Sequence, residues 1–175
     1  MICRQRRIFM SRTAILLFSI WTSILSAVFY HFYNYTNFGV PWIMFICMAV
    51  YFGMNLLPKD SPALLLSSYC GLAWGQFDFL LISLFTTYLK FSLELSSFLA
   101  IVFGTTITMY LHLVILNKTP LRHMPIIFAG VCLTFSQGGQ NTIGLIFTFL
   151  IGILLVTLCS LGQQFFMKQF PLDAA

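Results

Sequence analysis

Residues 63–89, ALLLSSYCGLAWGQFDFLLISLFTTYL, form an apolar run of 27 residues with one carboxylate in it, Asp78. Whether this run is one helix or two decides the architecture. A helix that crosses a bilayer needs about 20 apolar residues. Splitting the run at Asp78 leaves pieces of roughly 15 and 11, each too short to cross alone. One long helix, tilted to absorb its excess length, is the reading that fits.

Working outward, five more runs are apolar enough to be helices: Thr13–Tyr33, Val40–Leu57, Leu95–Leu116, Leu121–Ser136 and Ile143–Phe166. Polar or proline-containing breaks separate them, among them NYTNFG (34–39), PKDSP (58–62), KFSLE (90–94), NKTPLRHMP (117–125) and QGGQNT (137–142). Prolines stop a helix because they lack the amide donor and clash with the preceding turn. The fifth run is the shortest and the weakest of the six.

Composition agrees. Of 175 residues, 59% are hydrophobic and 7% charged, and mean hydropathy is +0.93. A soluble domain carries about 25% charged residues to face water. The sequence therefore reads as an all-α integral membrane protein. The net charge of +5 does not point to nucleic acid, because the basic residues flank the apolar runs. With the N-terminus in the cytoplasm, eight of the nine Lys and Arg residues fall on the inner side, and only Lys90 falls outside. That bias is the orientation signal of membrane proteins. It predicts six transmembrane helices with both termini cytoplasmic: a basic segment 1–12, a membrane domain 13–166 and a tail 167–175. The first apolar run continues into the bulky FYHFY (29–33), which argues against a cleaved signal peptide.

An internal echo accompanies this count. PWIMFICMAVYF (41–52) and PIIFAGVCLTFS (125–136) both start at proline. Each carries two phenylalanines seven residues apart, Phe45 and Phe52 in one, Phe128 and Phe135 in the other. Each would be the middle helix of a three-helix unit. Three is odd, so the units enter the membrane from opposite sides, predicting a 3+3 inverted repeat of the kind transporters use.

The stretch Phe128, Ala129, Gly130 through Thr134 and Phe135, then Gly138, Gly139 and Gly144, resembles the C-terminal signature of a bacterial inner-membrane family. That family is domain of unknown function 1097, which includes the YcdZ-like proteins. Gly71 and Trp74, and VYFG at 50–53, fall in the order it expects. The resemblance covers most of residues 15–165 and implies a small multi-pass protein of the bacterial inner membrane. It implies no catalytic residues, and Asp78 has no counterpart in it.

Small residues line three helices. Ala63, Ser67, Gly71 and Gly75 recur every four residues in the third, as do Ala100, Gly104, Thr108 and His112 in the fourth. The sixth shows Gly144, Thr148 and Gly152. Such ribbons let helix backbones approach where no hydrophobic force acts between helices. Asp78 shares the side of Trp74 and Gly75. It lies about 24 Å along a hydrocarbon core about 30 Å thick, in the outer third of an untilted helix. There it is either an interfacial aspartate or a proton or cation site. His31, His112 and His123 read as interfacial, as does Trp42, whereas Trp21 and Trp74 read as deeper. TFSQGGQNT (134–142) is an exposed turn or a partly re-entrant break lining a cavity.

Enzyme chemistry finds no foothold. No glycine-rich phosphate cradle, HExxH or paired carboxylates occur, and Asp and Glu number four. The five cysteines lack metal-ligand spacing and read as packing residues. No cofactor, metal or nucleic-acid partner is expected. Two functions stay open. One is a small-solute channel or transporter, expected as a homo-oligomer, with a polar path from Asp78, Gln76, Trp74, Thr108, Gln137 and Asn141. The other is a membrane assembly protein that moves nothing.

Overall fold

Ser11 starts the first helix by accepting a hydrogen bond from the Ala14 amide at 3.2 Å, and Ser92 starts the fourth in the same way from Leu95 at 3.3 Å. Capping of this kind satisfies an amide that the first helical turn leaves free. The computed structural model describes residues 10–171. They form six helices: α1 (Arg12–Tyr35), α2 (Met44–Gly53), α3 (Ser61–Thr87), α4 (Leu93–Tyr110), α5 (Met124–Ser136) and α6 (Thr142–Gln169). A π-helical turn, Leu111–Ile115, prolongs α4, and single 3₁₀ turns led by Pro41, Pro58 and Pro120 precede α2, α3 and α5. No strand occurs among the described residues.

α3 is one unbroken helix through Asp78. Four helical spans are long and apolar enough to cross a membrane: α1, α3 with its leading turn, α4 with its π turn, and α6. The short apolar helices Pro41–Gly53 and Met124–Ser136 are thirteen residues each, about 20 Å of helix. The second run thus ends four residues before the expected Leu57. Asn55 turns left-handed at φ 53°, and Leu57 is extended ahead of Pro58. A residue before proline is driven out of the helical region by the proline ring, so the helix cannot reach it.

Named contacts fix the helix directions. Ser11 Oγ donates to the Phe170 carbonyl at 2.9 Å and Tyr33 meets Thr148 at 2.8 Å, so α1 runs antiparallel to α6. α2 runs parallel to α6, since Val40 meets Thr148 and Met44 and Cys47 meet Gly152. Ser61 to Thr157 and Tyr69 to Ile146 set α3 antiparallel to α6. α3 is antiparallel to α4 through the pairs Asp78–Gly104 and Trp74–His112. It is parallel to α5, where Gly71 meets Ile127, Gly75 meets Thr134 and Phe79 lies 4.8 Å from Phe135. Successive helices therefore alternate in direction, and the start of α1 lies beside the end of α6.

The two halves match in spacing. Ser11 and Ser92 stand 81 residues apart (92 less 11), and so do the helix starts Arg12 and Leu93, the helix starts Ser61 and Thr142, and the packing glycines Gly71 and Gly152. The core lies between α2, α3, α5 and α6, where Leu64, Leu72, Ile126, Phe149 and Val156 pack together. The outward faces of α1 and α4 carry Leu16, Ile24, Phe32, Phe98 and Phe103, all exposed. Such faces suit hydrocarbon better than water.

Candidate functional site

α3 carries two working faces. Toward α5 it is almost bare: a side-chain carbon added at Gly71 would run into the Ile127 backbone, and one at Gly130 into the backbone of Gly71. Gly75 is covered by the Thr134 side chain, and Ser67 Oγ donates to the Pro120 carbonyl at 2.9 Å. Toward α4 it presents Cys70, Trp74 and Asp78. Facing them, α4 offers Ser96, Ala100, Gly104, Thr108 and His112, five buried residues at a spacing of four.

Asp78 sits over Gly104. Only 4% of it is exposed, and its Oδ1 has no hydrogen-bond partner. A side chain at 104 would occupy the space the carboxylate fills. The aspartate is therefore covered by α4 rather than extended into the surroundings. A charged carboxylate in mid-bilayer costs about 2.5–3.5 kcal/mol by insertion measurements.

One turn away, a second group is fully satisfied. The Trp74 indole N–H donates to Nε2 of His112 at 3.0 Å, and Nδ1 of His112 lies 2.7 Å from the Leu121 carbonyl. An indole nitrogen only donates, so Nε2 is the acceptor and the ring hydrogen sits on Nδ1. Cys70 Sγ approaches the same Nε2 at 3.6 Å. His112 belongs to the π turn, and π turns recur at functional positions. An apolar cleft of about 400 Å³ opens beside this pair, lined by Ala73, Phe77, Ile107 and Leu111 among others. His112 is 1% exposed, so its own chain covers it at this end of α4. His123 is likewise buried, with an unpartnered Nε2. Trp21 is 38% exposed and donates to the Leu158 carbonyl.

The six residues of the expected polar path divide between two places. Asp78, Trp74 and Thr108 share the α3/α4 crossing. Gln76 turns the other way and donates to the Gly139 carbonyl at 2.9 Å and to Thr142 Oγ1 at 2.7 Å. Gln137 caps α5, and Asn141 is exposed at the start of α6 with φ 55°. The segment 137–141 is a turn tied down by Gln76, with Gly138 and Gly139 at φ 59° and 75°. Of the packing residues, Ala63 is half-buried, Gly144 lies under the Phe38 carbonyl and Asn141, and Gly152 faces Met44 and Cys47. Among the described residues no three His, Cys, Asp or Glu converge on a point that could hold a metal ion.

The family model "Protein of unknown function (DUF1097)" matches residues 19–164. The chain belongs to the DUF1097 family. The matched stretch contains α2 to α5 whole, so the Asp78–Gly104 crossing and the Trp74–His112 pair lie within the DUF1097 region. No curated protein and no solved structure matches the chain.

The links from Gln76 to the 139–142 turn and from Tyr33 to Thr148 escaped sequence reasoning. Their partners lie more than sixty residues away, and no local pattern announces them. The Trp74–His112 pair had a signal, because His112 continues the four-residue ribbon of α4.

Proposed function

We propose that this protein is a multi-pass transporter of small solutes in a bacterial cytoplasmic membrane, working as a homo-oligomer with both termini in the cytoplasm. One observation carries the reading: the two halves of the chain share a long, short, long helix order while successive helices alternate in direction, as an inverted repeat would. Long, short and long helices follow in each half, with the spacing of 81 residues at four pairs of equivalent positions. The short helix of each half packs on the last long helix of the other, parallel to it and across a glycine: α2 at Gly152, α5 at Gly71. Inverted repeats serve alternating access, in which one unit rocks against the other.

The core between the units favours a transporter over a fixed pore. Leu72, Leu145, Phe149 and Val156 are buried and packed together there, so passage between the units needs them to shift. The contending reading, an assembly protein that moves nothing, relies on small-residue ribbons and aromatic faces free to bind partner helices; Phe32, Phe98 and Phe103 are exposed, whereas the ribbons are not free. Gly71, Gly75, Gly104 and Gly152 are instead covered by helices of their own chain.

The test is solute-driven swelling of proteoliposomes, followed by light scattering, with neutral and ionic small solutes. Selective uptake above empty liposomes is expected. Rates no faster than the lipid background for every solute would remove the transport reading.

A further inference from the structure

We infer that Asp78 is a reversible proton-binding site set into the membrane-crossing part of α3. The inference rests on the membrane placement in the proposed function and names an ion for it, yet it does not require that any solute moves. It begins with an acid that packing does not require. The position 81 residues further on, in the matching helix of the other half, is Cys159, wholly buried without a carboxylate. At Asp78 the opposing helix has lost its side chain altogether, and Gly104 leaves a notch that the carboxyl group occupies.

Among the described residues, no charged side chain faces Asp78 from α4. From α4 the neighbouring positions are Ser96, Ala100 and Thr108, none charged, and both ring nitrogens of His112 are engaged elsewhere. Glu94 lies at the exposed start of α4, about 15 Å along the helix from Gly104. α5 carries one ionisable side chain, Cys132, exposed away from the crossing, and α6 carries Cys159 and Lys168. Asp60, Arg122 and His123 gather at the far end of α3; Asp60 is about 27 Å from Asp78 along the helix. A hard metal cation needs some six oxygen ligands. Asp78 Oδ1 has no hydrogen-bond partner to share a metal ion with, so the proton is the cation that fits this notch.

Dicyclohexylcarbodiimide, an apolar reagent for carboxylic acids in apolar surroundings, tests it on the full-length protein in native membranes. The acid's proton passes to one carbodiimide nitrogen, and the carboxylate oxygen bonds to the central carbon. The acyl group then shifts to nitrogen, so the whole reagent is retained and nothing leaves. Peptide mass mapping should place the adduct on Asp78 in preference to Asp60 and Glu94. The yield should fall with rising pH, about tenfold per unit above the midpoint of titration. Asp78→Asn should abolish the adduct and Asp78→Glu should keep it. The wild-type map decides the matter even if either variant fails to fold. An unlabelled Asp78, or a yield indifferent to pH, would overturn the inference. Labelling of Asp78 beside absent solute flux would uphold the proton site while removing the transporter, so the two failures are distinct.

Discussion

Asp78 of α3 and Gly104 of α4 occupy one space between them: the carboxylate lies where any side chain on residue 104 would be. The two positions are therefore coupled. Gly104→Ala should lower the stability of the protein by about 1–3 kcal/mol, the usual cost of overpacking. Gly104→Ala combined with Asp78→Ala should recover most of that loss, because the clash is gone. Reversible unfolding in mixed micelles, run as a double-mutant cycle, reads the coupling directly. Additive losses would show that the two side chains do not compete.

The α3/α5 contact makes a sharper demand, because it is backbone on backbone. An added carbon at Gly71 meets the Ile127 carbonyl, which cannot rotate aside, whereas one at Gly53 meets nothing within 4 Å. Gly71→Ala should thus lower the melting temperature in detergent. Gly53→Ala should leave it unchanged or raise it slightly, since alanine in a helix is favoured over glycine by about 0.5–1 kcal/mol. Equal effects at the two positions would contradict the close approach of α3 and α5.

Trp74 and His112 are paired as donor and acceptor, so removing the indole leaves the buried ring nitrogen only the weak Cys70 thiol at 3.6 Å. Trp74→Phe keeps most of the aromatic bulk and should cost about 1–3 kcal/mol, the penalty of an unsatisfied buried polar group. Nitrogen-15 NMR of labelled histidine provides an independent reading. In the wild type the hydrogen should reside on Nδ1, and in Trp74→Phe that preference should weaken. A ring with its hydrogen on Nε2 in the wild type would refute the pairing.

His123 links stability to pH. It lies just ahead of α5, and burial, reinforced by the neighbouring Arg122, pushes its pKa below the ordinary 6.5, with Asp60 opposing. The folded protein therefore resists a proton that the unfolded chain accepts. Above pH 6.5 both states hold a neutral ring and no cost arises. As pH falls below 6.5 and through the lower folded value, stability is lost. His123→Gln should flatten that acid limb in a series of melting curves while leaving alkaline stability nearly unchanged. An acid limb identical in the variant would assign the loss to other groups.

Much of this fold is legible in the sequence, for a plain physical reason. α1, α3, α4 and α6 declare themselves by length and apolarity alone, and the continuity of α3 through Asp78 follows from the shortness of the pieces left by a break. The ends of α2 were harder. Its apolar run continues past Gly53, and what stops the helix is a left-handed Asn55 and the extended Leu57 ahead of Pro58. The site was legible in its residues and not in its pairings. The small-residue rows of α3 and α4 are visible as four-residue spacings. Which row meets which is tertiary, so nothing local says that Gly71 meets α5 while Asp78 meets Gly104. Gln76 illustrates the limit: one residue from Gly75 and two from Asp78, it faces a different neighbour, because successive helical positions turn by about 100°.

Alternation of the six helices sets an order of sidedness that labelling can read. With the start of α1 beside the end of α6, the connections at 36–40, 88–92 and 137–141 share one side, and those at 54–57 and 116–120 share the other. The charge bias predicts that the first set lies outside. Single cysteines at Asn37, Lys90 and Gln140, in a chain whose native cysteines are serine, should react with a membrane-impermeant maleimide in intact cells. Cysteines at Asn55 and Lys118 should react only after the membrane is opened. Lys90 is the informative position, being the one basic residue assigned outside. Protection at residue 90 together with reaction at residue 118 would invert α4 and break the opposed three-helix units on which the proposed transport depends.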